Sequence, residues 1–181
     1  QLWLHSSIGY VLQTPHLFSG TIRENLLMGN PDASEDDIYR ALKTANALSV
    51  VEKLEKGLDT DVGEGGDMLS TGEKQLISFA RAVISDPKIL ILDEATASVD
   101  TITEAKIQDA LESVADGRTA FIIAHRLSTV KNSDVILAVK DGKIVERGTH
   151  GELIALRGYY YELYTRQYRD ETTSKLLDGS I

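Results

Sequence analysis

Cysteine is absent from the 181 residues, which excludes disulfide staples and thiolate metal sites and leaves a reducing, intracellular compartment as the expectation. Long apolar runs are missing too. The longest are a few residues, such as Ile89 to Leu92, whereas a helix that crosses a bilayer needs about 20. Basic residues are in deficit, 19 against 28 acids for a net charge of -9, which argues against a nucleic-acid binder because phosphate backbones are gripped by clustered Lys and Arg. ATP stays open as a ligand, since one basic loop suffices to hold it. Gln1 to His5 lack the order of a signal peptide and there is no initiator Met, so a piece of a longer protein is expected. What is present is 42% hydrophobic and 26% charged, enough apolar material for a single core and too much for a disordered chain. Internal repeats and low-complexity segments do not occur.

Ile8 to Leu12 is β-prone and ends at Gln13, and Pro15 disfavours continued regular structure at Thr14, so a strand runs into a loop. Ser34 followed by Asp37 reads as a helix N-cap, with Ile38, Ala41, Leu42 and Ala45 recurring at helical spacing. Gly63 to Gly66 reads as a flexible acidic loop feeding a helix from Ser70 to Ile84, which Asp86-Pro87 ends. From Lys88 strand and helix alternate: Ile89 to Asp93, Thr103 to Val114, Thr119 to Ala124, and a short helix near Ser128. That alternation predicts a parallel sheet covered by helices. Asp141-Gly142 between Val135–Val139 and Lys143–Glu146 predicts an antiparallel hairpin. Helices at about 150–156 and 159–167 follow, and residues 170–181 form a polar tail without periodicity.

The segment richest in chemistry is Ile89-Leu90-Ile91-Leu92-Asp93-Glu94. A continuously apolar strand suits burial on both faces, and ligands of parallel sheets gather beyond strand C-termini, where these two acids sit. An Asp there can hold Mg²⁺ directly or through water, and the adjacent Glu can orient or deprotonate an attacking water. Equally, apolar strands often end in acidic turns, so the hexapeptide alone leaves both readings open. Its surroundings narrow them. Leu69-Ser70-Thr71-Gly72-Glu73-Lys74-Gln75 opens the preceding helix, Ala95 to Asp100 follows the strand, and Ile123-Ala124-His125-Arg126 ends the next one.

With these motifs in this order the sequence resembles the ABC ATPases, in particular the nucleotide-binding domains of ABC exporters, from about Leu4 to Gln167. The resemblance implies an α/β fold of the P-loop NTPase (RecA-like) type. Its mostly parallel sheet carries helices on both faces and a helical subdomain at about 14–85. The catalytic core then lies at about 1–13 and 86–168, with 169–181 as the tail. It implies ATP and Mg²⁺ as cofactors, with Asp93 the metal-associated acid and Glu94 the general base. His125 becomes the switch histidine at the γ-phosphate, and Gln13 the Q-loop glutamine that senses γ-phosphate and metal. Taken alone, His125 is an ordinary hydrogen-bonded residue at a strand end and Gln13 a surface residue before a turn; the run Thr14 to Asn25 is strongly exporter-like. Ser70, Thr71, Gly72 and Glu73 are the signature motif that docks on ATP held by an opposite domain, and Asp100 is the D-loop acid between the two domains. An acid in the first turn of a helix would look the same as Asp100.

The implied partners are a second nucleotide-binding domain, identical or different, and transmembrane domains, fused or separate, at the cytoplasmic face of the cell membrane. Coupling helices would dock near Thr14 to Leu27, with Leu17 and Phe18 either contacting them or lying in the helical subdomain's core. Nucleic acid is not an implied partner. Thr71 and Glu73 depart from the usual Leu-Ser-Gly-Gly-Gln. They either lower nucleotide affinity, if position 71 needs positive φ and the Glu charge repels phosphate, or are tolerated. The loop Gly-x-x-x-x-Gly-Lys-[Ser/Thr] is absent: the one Gly-Lys pair, Gly142-Lys143, precedes Ile144 and sits in a predicted hairpin turn. The phosphate-loop strands are expected upstream of Gln1, and the 181 residues alone are expected to be inactive. The rival readings are an inert fragment or interaction module and, with far less support, a DNA-repair type ABC ATPase, whose coiled coil and basic surface the sequence lacks.

Overall fold

The computed structural model describes residues 7–93, 101–124 and 127–177. The chain divides into two compact units, residues 1–123 and 124–181.

The first unit is built on three parallel strands, β1 (Ile8–Val11), β2 (Ile89–Asp93) and β3 (Thr119–Ile123), in the order β1-β2-β3. Between β1 and β2 lie helices α1 (Ile22–Leu27), α2 (Glu35–Thr44), α3 (Leu48–Glu52) and α4 (Thr71–Val83), and α5 (Thr101–Ala115) links β2 to β3. Three of these helices start on a reciprocal cap. Thr21 with Glu24, Ser34 with Asp37 and Ser70 with Glu73 each exchange side-chain and backbone hydrogen bonds across the first turn. Such caps satisfy amide groups that a helix start leaves unpaired, which is why the predicted starts at residues 34 and 70 match. Their apolar stripes then converge. Ile22, Leu26, Ile38, Leu42, Leu76, Ile77, Ile107 and Leu111 join Val11, Leu90 and Leu92 in one core on a single face of the sheet.

The opposite face is open. In register across the three strands lie Tyr10, Ile91 and Phe121, with Tyr10 and Phe121 each 53% exposed and Leu12 and Ile123 exposed beside them. The expectation that β2 is buried on both faces is therefore corrected: Leu90 and Leu92 are buried, Ile89 and Ile91 only half-buried. A run of large apolar residues reports what a strand can tolerate, and tertiary neighbours decide which side is covered.

The loop read as flexible at 63–66 is an ordered 3₁₀ turn, Glu64–Gly66. Its Gly66 is buried with φ at 75°, and a Cβ there would lie 3.1 Å from the Leu17 side chain. Glycine meets both demands, the left-handed backbone and the close approach.

The second unit holds α6 (Leu127–Lys131), the antiparallel pair β4 (Ile136–Lys140) and β5 (Lys143–Gly148), α7 (His150–Leu156) and α8 (Tyr159–Leu177). Asp141 and Gly142 both take positive φ, 50° and 73°, as a tight two-residue hairpin requires. The helix predicted to stop near residue 167 runs to Leu177. Periodicity registers burial, and a helix can continue past its packed turns on propensity alone. The start of α8 is anchored by Glu146 of β5, whose two carboxylate oxygens accept the amides of Tyr159 at 2.6 Å and Tyr160 at 2.8 Å.

Tyr160 is buried with Ile136, Ala138 and Leu153, and its hydroxyl lies 2.8 Å from Nδ1 of His150. Burial first, and then the neighbouring Tyr164, push its phenol up to about 12. The folded state thus favours the protonated phenol, while an unfolded tyrosine ionises near about 10. Stability from this group is complete below about pH 10 and is lost as pH rises toward 12. In a phenolate-absorbance titration one of the seven tyrosines should ionise last, and Tyr160→Phe should remove that step. All seven titrating together near pH 10 would contradict the assignment.

Candidate functional site

The C-terminal edge of the parallel sheet gathers two of the expected residues. Val11 of β1 is in register with Leu92 of β2, so Asp93 ends its strand while the neighbouring chain runs out through Leu12 to Gln13. Asp93 is half-buried and Gln13 exposed, and no Lys, Arg or His among the described residues pairs with the Asp93 carboxylate. A carboxylate without a cationic partner among the described residues suits a hard cation such as Mg²⁺, which keeps several waters and shares its shell with phosphate oxygens. No group of three or more His, Asp or Glu able to cage a metal occurs among the described residues. The donor set fits a metal that arrives with a phosphate better than one held by protein alone.

The second element is the start of α4. Ser70 is its N-cap, with φ −64° and ψ 159°, and the motif residues Thr71, Gly72 and Glu73 form its first turn. The Ser70 hydroxyl accepts from the Glu73 amide at 3.3 Å and donates to the Glu73 carboxylate at 2.9 Å, which also accepts the Ser70 amide at 3.0 Å. Thr71 is helical and is not among the residues with positive φ, so the conformational cost raised for it does not arise. Glu73 uses its charge on the cap. Glu94, Asp100 and His125, the remaining expected site residues, lie outside the described residues.

Between these two elements runs the segment that follows Gln13, and it is held more tightly than the sequence suggests. Asn25, fully buried in α1, accepts the Phe18 amide at 2.8 Å through Oδ1 and donates through Nδ2 to the carbonyls of Phe18 at 2.8 Å and Thr21 at 3.0 Å. Arg81 of α4 donates to the His16 carbonyl at 2.8 Å and lies 5.6 Å from the centre of the Phe18 ring. Burial lowers its pKa from the ordinary arginine value. Leu17 is fully buried and Phe18 is 47% exposed, so of the two candidate partner contacts only Phe18 is available at the surface. Asn25 and Arg81 were not singled out from sequence. The one signal each offered was a polar side chain at an apolar helix position.

The sequence pattern that defines the family described as ABC transporter matches residues 2–97. The chain belongs to the ABC transporter family. Among its relatives are the probable multidrug resistance ABC transporter ATP-binding/permease protein YheH of Bacillus subtilis and the ATP-dependent lipid A-core flippase of Desulfotalea psychrophila. YheH is 55% identical over 91% of this chain and 24% of its own length, and the flippase 51% identical over 91% of this chain and 29% of its own. A bacterial Atm1-family ABC exporter solved with ATP bound superposes with a TM-score of 0.82 at 41% identity, over 91% of this chain and 29% of that one. The chain spans about a quarter of the length of these relatives. The P-loop NTPase-like α/β reading holds, with the parallel sheet as expected. Among the described residues no helix is long and apolar enough to cross a membrane.

Proposed function

We propose that these residues are the larger part of an ATP-hydrolysing domain of an ABC exporter, working with transmembrane domains at the cytoplasmic face of a membrane and with a second nucleotide-binding domain. The observation that carries this reading is the sheet edge, where Asp93 ends β2, Gln13 lies two residues beyond the end of the adjacent parallel strand β1, and no cation among the described residues pairs with the Asp93 carboxylate. Asp93 would hold Mg²⁺, directly or through water, and Gln13 would sense metal and γ-phosphate from the loop just beyond β1. Glu94 would orient and deprotonate the attacking water, with His125 contacting the γ-phosphate. Bound Mg²⁺ would neutralise charge developing on the phosphates.

On another face, Ser70, Thr71, Gly72 and Glu73 would meet ATP held by the opposite domain. The Ser70 hydroxyl and the free amides at the start of a 13-residue helix attract phosphate. Asp100 would contact that domain. Closing and reopening the pair around two ATP molecules would drive substrate movement.

The phosphate-cradling loop would come from outside these 181 residues, and the exposed apolar side chains of Tyr10 and Phe121 beside half-buried Ile91 support this, since such a sheet face suits a covering helix. A second reading, a non-catalytic piece, is favoured for the 181 residues taken alone by the missing Gly-x-x-x-x-Gly-Lys-[Ser/Thr] loop. The test is Mg-ATP turnover by the 181-residue chain alone and joined to a preceding phosphate-loop segment. Turnover is expected only in the joined form; tight binding and turnover by the chain alone would contradict the reading.

A further inference from the structure

Four buried side-chain polar atoms among the described residues have no hydrogen-bond partner in the protein, and three of them lie on α4: Gln75 Oε1, Ser78 Oγ and Arg81 Nη1. Residues three apart on a helix are neighbours, so these three form one polar seam running from near the Ser70 end of α4 toward its last turn. Native proteins leave few buried polar atoms unpaired, and a helix stripe that could have been apolar carries three.

Arg81 is the member of that seam with a distant bond. Its guanidinium reaches 65 residues back to the His16 carbonyl and lies against the Phe18 ring, while no carboxylate among the described residues pairs with it. Arg81 is half-buried with one guanidinium nitrogen, Nη1, buried and unbonded, so its fork holds one carbonyl through Nη2 and keeps a second donor in reserve. The segment it grips is stiff. Asn25 fixes both backbone groups of Phe18, and Pro15 restricts the link between His16 and Gln13. A displacement of α4 would be felt first at His16, three residues from Gln13.

We propose that Arg81 is a positioning residue that ties the segment carrying Gln13 to the helix carrying Ser70, so that the γ-phosphate sensor and the signature motif shift together. The inference rests on the roles given above to Gln13 and Ser70.

The test is a double-mutant cycle in the full transporter, measuring kcat and KM for Mg-ATP in the wild type, Gln13→Ala, Arg81→Met and the double variant. Arg81→Met keeps the apolar stem and removes charge and donors. It should lower kcat about tenfold, the worth of one charged hydrogen bond, with KM within about twofold. If Arg81 acts through Gln13, the double variant should be no slower than Gln13→Ala within about twofold, whereas a purely structural contribution multiplies with it. Should Arg81→Met not accumulate as folded protein, Arg81→Lys carries the same cycle, with a smaller kcat loss that again vanishes on the Gln13→Ala background. Multiplying losses, or an Arg81→Met enzyme as fast as wild type, would overturn the inference alone. A Gln13→Ala enzyme with unchanged kcat would overturn the role of Gln13 and this inference with it.

Discussion

Replacing Glu94 by Gln in the full transporter is expected to cut Mg-ATP turnover by about 10²- to 10⁴-fold while nucleotide binding persists, because a positioned general base contributes that much to rate. The substitution keeps the size and hydrogen-bonding capacity of the side chain and removes its ability to take a proton. Asp93→Asn should behave differently. In the proposed function Asp93 holds the metal and Glu94 is the base, so here Mg²⁺ dependence should shift as well as kcat. Measured side by side, the two variants separate the roles proposed for Asp93 and Glu94. A Glu94→Gln enzyme that turns over within about threefold of wild type would remove Glu94 from the chemistry and return the Asp93-Glu94 pair to an acidic turn.

Ser70 offers the second large effect, because two functions converge on one hydroxyl. It caps α4 through Glu73, and in the proposed function it faces the phosphate tail held by the opposite domain. Ser70→Ala should lose the cap, worth about 1 kcal/mol, along with the phosphate contact. Ser70→Asp separates the two. Aspartate is as good an N-cap as serine, so the helix should survive, although the neighbouring Glu73 charge trims the gain; a carboxylate placed against a phosphate, however, should cost at least about tenfold in kcat. Unfolding midpoints and turnover measured on both variants decide it. If Ser70→Asp turned over as fast as wild type, Ser70 would be a helix cap and nothing more.

Much of this molecule is legible in the order of its residues because the signals are local. Ser34 with Asp37 and Ser70 with Glu73 start their helices through bonds spanning three residues, and Asp141-Gly142 closes its hairpin with two left-handed residues. Asp93 could be set at a ligand-facing strand end since four apolar residues precede it and a parallel sheet presents that end to ligands. Asn25 and Arg81 were not legible, because their value lies in bonds to Phe18 and His16 rather than in any spacing along the chain.

The sequence by itself determined where most strands and helices begin, the parallel alternation that builds the sheet, and the motifs that resemble those of the ABC transporter family, all of which depend on caps, turns and side-chain types within a few residues. Tertiary structure alone decided that one face of that sheet is covered and the other open, that Leu17 is core while its neighbour Phe18 reaches the surface, and that a guanidinium at 81 holds a carbonyl at 16. The physical reason is range: a cap or turn is settled among neighbours in the chain, whereas burial and pairing are settled by whichever distant residues the fold brings alongside.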